Sequence, residues 1–135
     1  MQFTIAAFTA LMAASTAFAL PAGGPQQPPV QTVTISFSND QSGRNAPITA
    51  TLDGTVIPIS QYLASTPICG NGAGHCEASS AYTVAFVQGA SCAITAADGH
   101  LIAGLDAQRT FADLDGNPAA STPISLDGAN LRCEL

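Results

Sequence analysis

From Val30 onward, apolar and polar residues alternate in short runs separated by turn signals. Val33, Ile35 and Phe37 alternate with Thr32, Thr34, Ser36 and Ser38, the period-two pattern of a half-buried strand. The polar stretch NDQSGRNAP then reads as a connecting loop. Ile48, Ala50 and Leu52 alternate with Thr49 and Thr51, and Asp53-Gly54 turns the chain. Val56, Ile57 and Ile59 suggest a return strand, with Pro58 assigning it to an edge or a bulge. Ser60 to Leu63 predicts one helical turn capped by Ser60.

Further on, Tyr82, Val84 and Phe86 alternate with Thr83 and Ala85, and Cys92, Ile94 and Ala96 continue the pattern beyond Gln88-Gly89. Asp98-Gly99 predicts a hairpin into an apolar strand from His100 to Leu105. Ile124 and Leu126 precede Asp127-Gly128, and Leu131 to Cys133 close the pattern. No segment has a long helical period, although Ala64 to Thr66 and Ala107 to Ala112 are alanine-rich enough to hold a short helix. Seven or eight short strands with regular turns predict an all-β fold, a single small antiparallel sandwich or barrel spanning 32–135.

Asp-Gly recurs at 53–54, 98–99, 115–116 and 127–128, three times as Leu-Asp-Gly. It is the signal for a two-residue type I′ hairpin, so each copy is expected to join neighbouring strands. The segment RTFADLDGNP invites a sharper reading, because Asp113, Asp115 and Asn117 supply alternate oxygens. An EF-hand loop wants glycine at position 6 and glutamate at 12; counted from Asp113, those places hold Pro118 and Ile124. A turn is therefore expected. A calcium site assembled from several loops stays open, and Asp113 with Asp115 is a weak reading as a catalytic pair.

The chain opens MQFTIAAFTALMAASTAFA, an apolar run ending in the A-x-A pattern Ala17-Phe18-Ala19. This reads as a signal peptide over 1–19, although its n-region lacks Lys and Arg. The run is shorter than the about 20 residues that span a bilayer, so no membrane span is expected. The prolines, glycines and glutamines of 20–31 read as a flexible lead.

Composition narrows the chemistry. The chain has three arginines, no lysine and a formal charge of −6. Nucleic-acid binding draws on clustered cations, and anionic membrane surfaces attract basic segments; neither partner is expected. G-x-S-x-G, H-E-x-x-H and phosphate-loop motifs are missing, and no cofactor is implied. There is no N-x-[ST] sequon. Two carboxylates can suffice for glycoside hydrolysis, which keeps a small cell-wall hydrolase as an alternative.

The four cysteines are Cys69, Cys76, Cys92 and Cys133. An even number in a small exported domain predicts disulfides. Three pairings exist. Cys69–Cys76 with Cys92–Cys133 is favoured, because the glycines of CGNGAGHC permit a short local bridge and the other two cysteines lie in phase with apolar strand residues. Zinc prefers C-x₂₋₄-C spacing, which this segment lacks despite His75 and Glu77 beside it, so no metal is expected.

The signal peptide, the short Pro-rich lead, a strand such as VTISFSNDQSG, a middle cysteine followed by a strand, then RTFADLDGNP and a terminal cysteine together resemble small secreted cysteine-containing proteins of filamentous ascomycete fungi. That group is uncharacterised and described as candidate effectors. The resemblance covers about Val30 to Cys133, most specifically in SFSNDQSG and TFADLDGNP. It implies export, and it implies no activity or catalytic residues.

The reading that follows is a secreted, extracellular, non-enzymatic binding protein, monomeric, with an unknown protein or cell-wall partner. A wall or spore-surface structural protein is the alternative besides the hydrolase. Loops on a rigid scaffold carry recognition, so the expected binding residues are Asp40 and Arg44 in the loop Asn39 to Asn45, and His75 and Glu77 in the loop Asn71 to Glu77.

Overall fold

The computed structural model describes residues 23–70 and 75–135. The signal peptide read over 1–19 and the centre of the cysteine loop at 71–74 lie outside the described residues. Residues 23–31 are exposed and carry no regular secondary structure.

The fold is all-β. In chain order the strands are β1 (Thr32–Asn39), β2 (Arg44–Thr51), β3 (Asp53–Pro58), β4 (Glu77–Ala78), β5 (Ser80–Ala85), β6 (Ser91–Thr95), β7 (Leu101–Asp106), β8 (Phe111–Asp113), β9 (Ile124–Ser125) and β10 (Asn130–Glu134). One short helix, α1 (Ile59–Leu63), and a 3₁₀ turn at Pro67–Cys69 lie between β3 and β4. Two four-stranded antiparallel sheets run in the orders β2-β1-β5-β8 and β3-β10-β6-β7, and β4 pairs with β9 in a third. The strand count exceeds seven or eight because β4 and β9 are two-residue strands too short to show a period.

Both large sheets feed one core. Val33, Ile35 and Phe37 of β1 have no exposed surface. Phe37 stands in register with Ala46 on one side and Ala81 on the other. One large ring is thus flanked by two methyl groups, a pairing of large with small that close packing favours. This pairing reverses the face expected for β5. Ala81 points inward, and Val84 is 61% exposed beside a register shift opposite Thr34 and Ile35. Size alternation misled there because the inward place beside Phe37 has room only for a small side chain.

The Asp-Gly turns also depart from expectation. A type I′ turn needs positive φ at both central residues, and among the described residues only glycines have it. Asp98-Gly99 does lie between paired strands, β6 and β7. It does so in a longer turn, where the Gly99 amide donates to Ala96 O and the Ala96 amide to His100 O, both at 2.9 Å. Asp115-Gly116 and Asp127-Gly128 lie between strands of different sheets, and Asp53-Gly54 opens β3, where the chain passes from one large sheet to the other. They are corners at which the chain leaves one sheet for another.

The helical turn starts one residue before Ser60, at Ile59, with Pro58 at its N-cap and no side-chain cap. Its position is set by burial: Ile59 and Leu63, one turn apart, are both fully enclosed. Ile59 therefore belongs to α1 and not to the strand. Pro47 and Pro58 both fall on edge strands, β2 and β3, where a missing N–H is tolerated.

Two disulfides join Cys69 to Cys76 and Cys92 to Cys133, seven and 41 positions apart. Cys92 and Cys133 are direct cross-strand partners of β6 and β10. Chain-entropy estimates give about 2.5 kcal/mol for the short loop and about 4 kcal/mol for the long one. Replacing Cys92 and Cys133 together by Ala should therefore lower the urea midpoint more than replacing Cys69 and Cys76. A second expected outcome concerns Gly99 and Gly128. Both have positive φ, but a Cβ on Gly128 would sit 2.8 Å from the Ala97 Cβ, whereas one on Gly99 meets open space. Gly99→Ala should cost about 1 kcal/mol, and Gly128→Ala clearly more, read by denaturant unfolding.

Candidate functional site

The end of the β1–β2 hairpin faces the disulfide loop across a cleft of about 510 Å³, lined by Asn39, Ser42, Arg44, Ile68, Gly70, His75 and Glu77. The hairpin wall is fixed by its turn. Ser42 and Gly43 amides donate to Asn39 O at 3.2 and 2.8 Å, and the Ser42 amide also reaches Asn39 Oδ1 at 3.1 Å. The expected loop NDQSGRNAP is thereby shortened: Arg44 to Pro47 belong to β2, Asn39 ends β1, and only 40–43 lie between the strands. Arg44 Nη1 donates to Pro67 O at 3.5 Å, leaning across toward the opposite wall.

That wall is closed covalently by Cys69–Cys76 and pinned by Asp127. Asp127 Oδ1 accepts the Cys76 amide at 3.2 Å, and Oδ2 lies 2.6 Å from His75 Nδ1. The Leu126 amide donates to Cys76 O at 2.7 Å. The Cys76 amide, opposed by burial and helped by His75, holds the Asp127 carboxyl below its ordinary value. An imidazole oriented by a carboxylate is two-thirds of a nucleophilic triad; among the described residues, no hydroxyl or thiol is hydrogen-bonded to its other nitrogen. Glu77 opens β4 and is exposed.

Three of the four expected binding residues, Arg44, His75 and Glu77, thus line one cleft. Asp40 has a different job. Its carboxylate accepts hydroxyls from Ser79 at 2.6 Å, Ser80 at 2.8 Å and Ser38 at 3.1 Å, and its amide donates to Ser79 Oγ at 2.9 Å. Ser79 and Ser80 are buried, so Asp40 satisfies polar groups at the junction leading into β5. The Ser79 hydroxyl is the main cause of its lowered pKa, against partial burial.

The motif RTFADLDGNP resolves as a turn. Asp115 accepts the Asn117 amide at 2.9 Å and the Thr122 amide at 2.8 Å, and Asn117 Oδ1 accepts from Ala119 at 3.1 Å. The Asn117 amide is the main cause that lowers the Asp115 pKa; the hydrogen bond shared with Asp115 is the main cause that raises that of Asp113. His100 lies against Asp98 in its own turn. Among the described residues, no three His, Cys, Asp or Glu side chains converge as a metal centre requires.

Asp127 was not expected at this site. It sits 52 positions from His75, and in sequence it carries only the signature of a turn. Compared with known proteins, the chain matches no family model, no curated protein and no solved structure.

Asp40 supplies a pH test. Its folded-state pKa is depressed, so its contribution is complete well above the unfolded value of about 3.9 and is lost as pH falls through the folded value. Asp40→Asn should lower stability by about 1 kcal/mol at pH 6, given hydrogen bonds to a charged group discounted for solvent exposure. In urea unfolding at successively lower pH below about 4, the gap between variant and wild type should narrow progressively.

Proposed function

We propose that the chain is a secreted, non-enzymatic binding protein that acts outside the cell, of the kind that fungal candidate effectors represent. One observation carries this reading. A guanidinium from one segment and an imidazole and a carboxylate from another line one cleft, whose walls are a strand-paired hairpin and a loop closed by a disulfide. Strand pairing on one side and the Cys69–Cys76 bridge on the other tie these residues into the fold, which limits the entropy lost on association. Two disulfides are compatible with an oxidising extracellular space, and among the described residues no helix is long and apolar enough to cross a membrane. The partner of this reading is a protein or a cell-wall component that offers both an acceptor for Arg44 and a donor for Glu77.

The test is a comparison of fractions. The purified chain should bind reversibly to intact host cells or to isolated fungal walls. The double variant Arg44→Ala/Glu77→Ala should lose about tenfold in affinity, a change of about 1.4 kcal/mol, with unchanged unfolding. Equal binding by the double variant removes the cleft from the reading. Release of reducing sugar from wall polymers establishes the hydrolase instead, and retention in the wall with self-association establishes a structural protein.

A further inference from the structure

The β3-β10-β6-β7 sheet carries a groove of about 350 Å³ on its outer side, and the floor of that groove is made by missing side chains. Cys92, Ile94, Leu105, Leu131 and Cys133 are buried in the core, so by alternation Ala93, Gly104 and Arg132 face outward. Register sets these three side by side, Gly104 opposite Ala93 and Ala93 opposite Arg132. The neighbouring outward row is Asp106, Ser91 and Glu134.

Gly104 calls for a reason, because a glycine inside a strand weakens it relative to alanine. Gly104 is not one of the glycines with positive φ. A Cβ added to it would meet nothing closer than Cys92 O at 3.8 Å, an ordinary contact. The register shift between β6 and β7 falls beyond it, at Ile94 and Thr95. Neither conformation nor packing nor the bulge requires this glycine. What it provides is open room above the backbone, the role of a strand glycine where a ligand comes close.

The groove is also charged in a particular way. Asp106 Oδ1 accepts the Gln108 and Arg109 amides at 2.8 and 2.7 Å, and the Asp106 amide donates to Arg109 O at 3.0 Å. This tight turn brings both Asp106 and Arg109 to the groove. Among the described residues, no ion pair joins them to each other or to any other group. Arg132 and Glu134, which line the groove as well, neutralise each other at 3.0 Å. The lining therefore holds two cations and two anions, and one opposite pair is left unjoined.

We propose that this groove binds a small zwitterion, an α-amino acid or short peptide, with its carboxylate on Arg109, its ammonium on Asp106 and its backbone over Gly104 and Ala93. The charges select the occupant. A simple anion meets Asp106 and Glu134, and a simple cation meets Arg109 and Arg132. Only a molecule with one pole of each sign finds a partner for both. The planar guanidinium fork matches a carboxylate bidentately, and Leu101, 62% exposed at the groove's edge, offers an apolar contact for a ligand side chain. The groove shares no lining residue with the cleft at the hairpin end and does not rest on the function proposed for that cleft.

Titration of the isotope-labelled full chain with alanylalanine, followed by backbone amide chemical shifts, tests the proposal. N-acetyl-alanylalanine keeps only the carboxylate, and alanylalanine amide only the ammonium. Alanylalanine should give saturable shifts at Ala93, Gly104 and Arg109 in the millimolar range. Each single-charge analogue should bind about tenfold more weakly, a change of about 1.4 kcal/mol. Arg109→Gln should weaken alanylalanine binding about tenfold, Gly104→Leu should abolish it by filling the floor, and Tyr62→Ala, on α1, should leave it unchanged. Circular dichroism and urea unfolding check that each variant folds; if Gly104→Leu does not, Arg109→Gln, at an exposed position, decides. Absence of saturable shifts overturns the proposal. So does equal binding of either single-charge analogue, or undiminished binding by Arg109→Gln or by folded Gly104→Leu. These outcomes are independent of wall or cell binding, which the Arg44→Ala/Glu77→Ala variant reports.

Discussion

The structure depends on how Phe37 is accommodated. Its ring occupies the inward face of a central strand, and both register partners are alanines. That arrangement fixes which face of β2 and of β5 turns inward, because a one-residue slip would drive a larger side chain into the same layer. With three strands set in this way, β8 follows through Ala81 opposite Ala112. The second sheet, centred on Leu131 and Ile94, completes the same core. Tyr82 and Phe111 take the outer face because Ala81 and Ala112 face in.

The excess of negative charge is largely architectural. Asp53 accepts the Thr55 amide at 2.9 Å, Asp98 the His100 amide at 3.0 Å, and Asp106 the Gln108 and Arg109 amides at 2.8 and 2.7 Å. Asp115 does the same in its own corner, and Asp127 accepts the amide of Cys76 in the disulfide loop. Each carboxylate meets backbone donors that a turn would otherwise leave to water. The effect on ionisation is consistent, with Asp53, held chiefly by Thr55, lowered to about 2. A chain built from many short strands needs many turns, and aspartate is the residue with which this one builds them.

How much of this could be read in advance followed from locality. β1 and the second half of β2 were legible because large apolar residues or alanines alternate with Thr and Ser, with one face buried; Arg44 to Pro47 read as loop because their polar and proline residues hide the start of β2. The face of β5 was not, since Tyr82, Val84 and Phe86 carry the alternation while a small alanine takes the inward place. Asp-Gly was legible as a turn, but its role in changing sheets was not, because that depends on which distant strand receives the chain next. At the cleft, Arg44, His75 and Glu77 could be picked out by their chemistry within turn-rich segments. Asp40 has the same composition around it, and only the spatial approach of Ser79 and Ser80 assigns it to the framework. Asp127 reaches His75 through a fold-level proximity that no local pattern encodes.

The sheet-changing corners also bear on the order of assembly. β10 pairs with β3 and β6, both far from it in the chain, so closing that sheet costs loop entropy before any contact repays it. The short cysteine pair can meet by local chain closure at any stage. The long pair meets only once β6 and β10 lie side by side. Oxidation of that second pair is therefore a chemical record that the strands have found their correct neighbours.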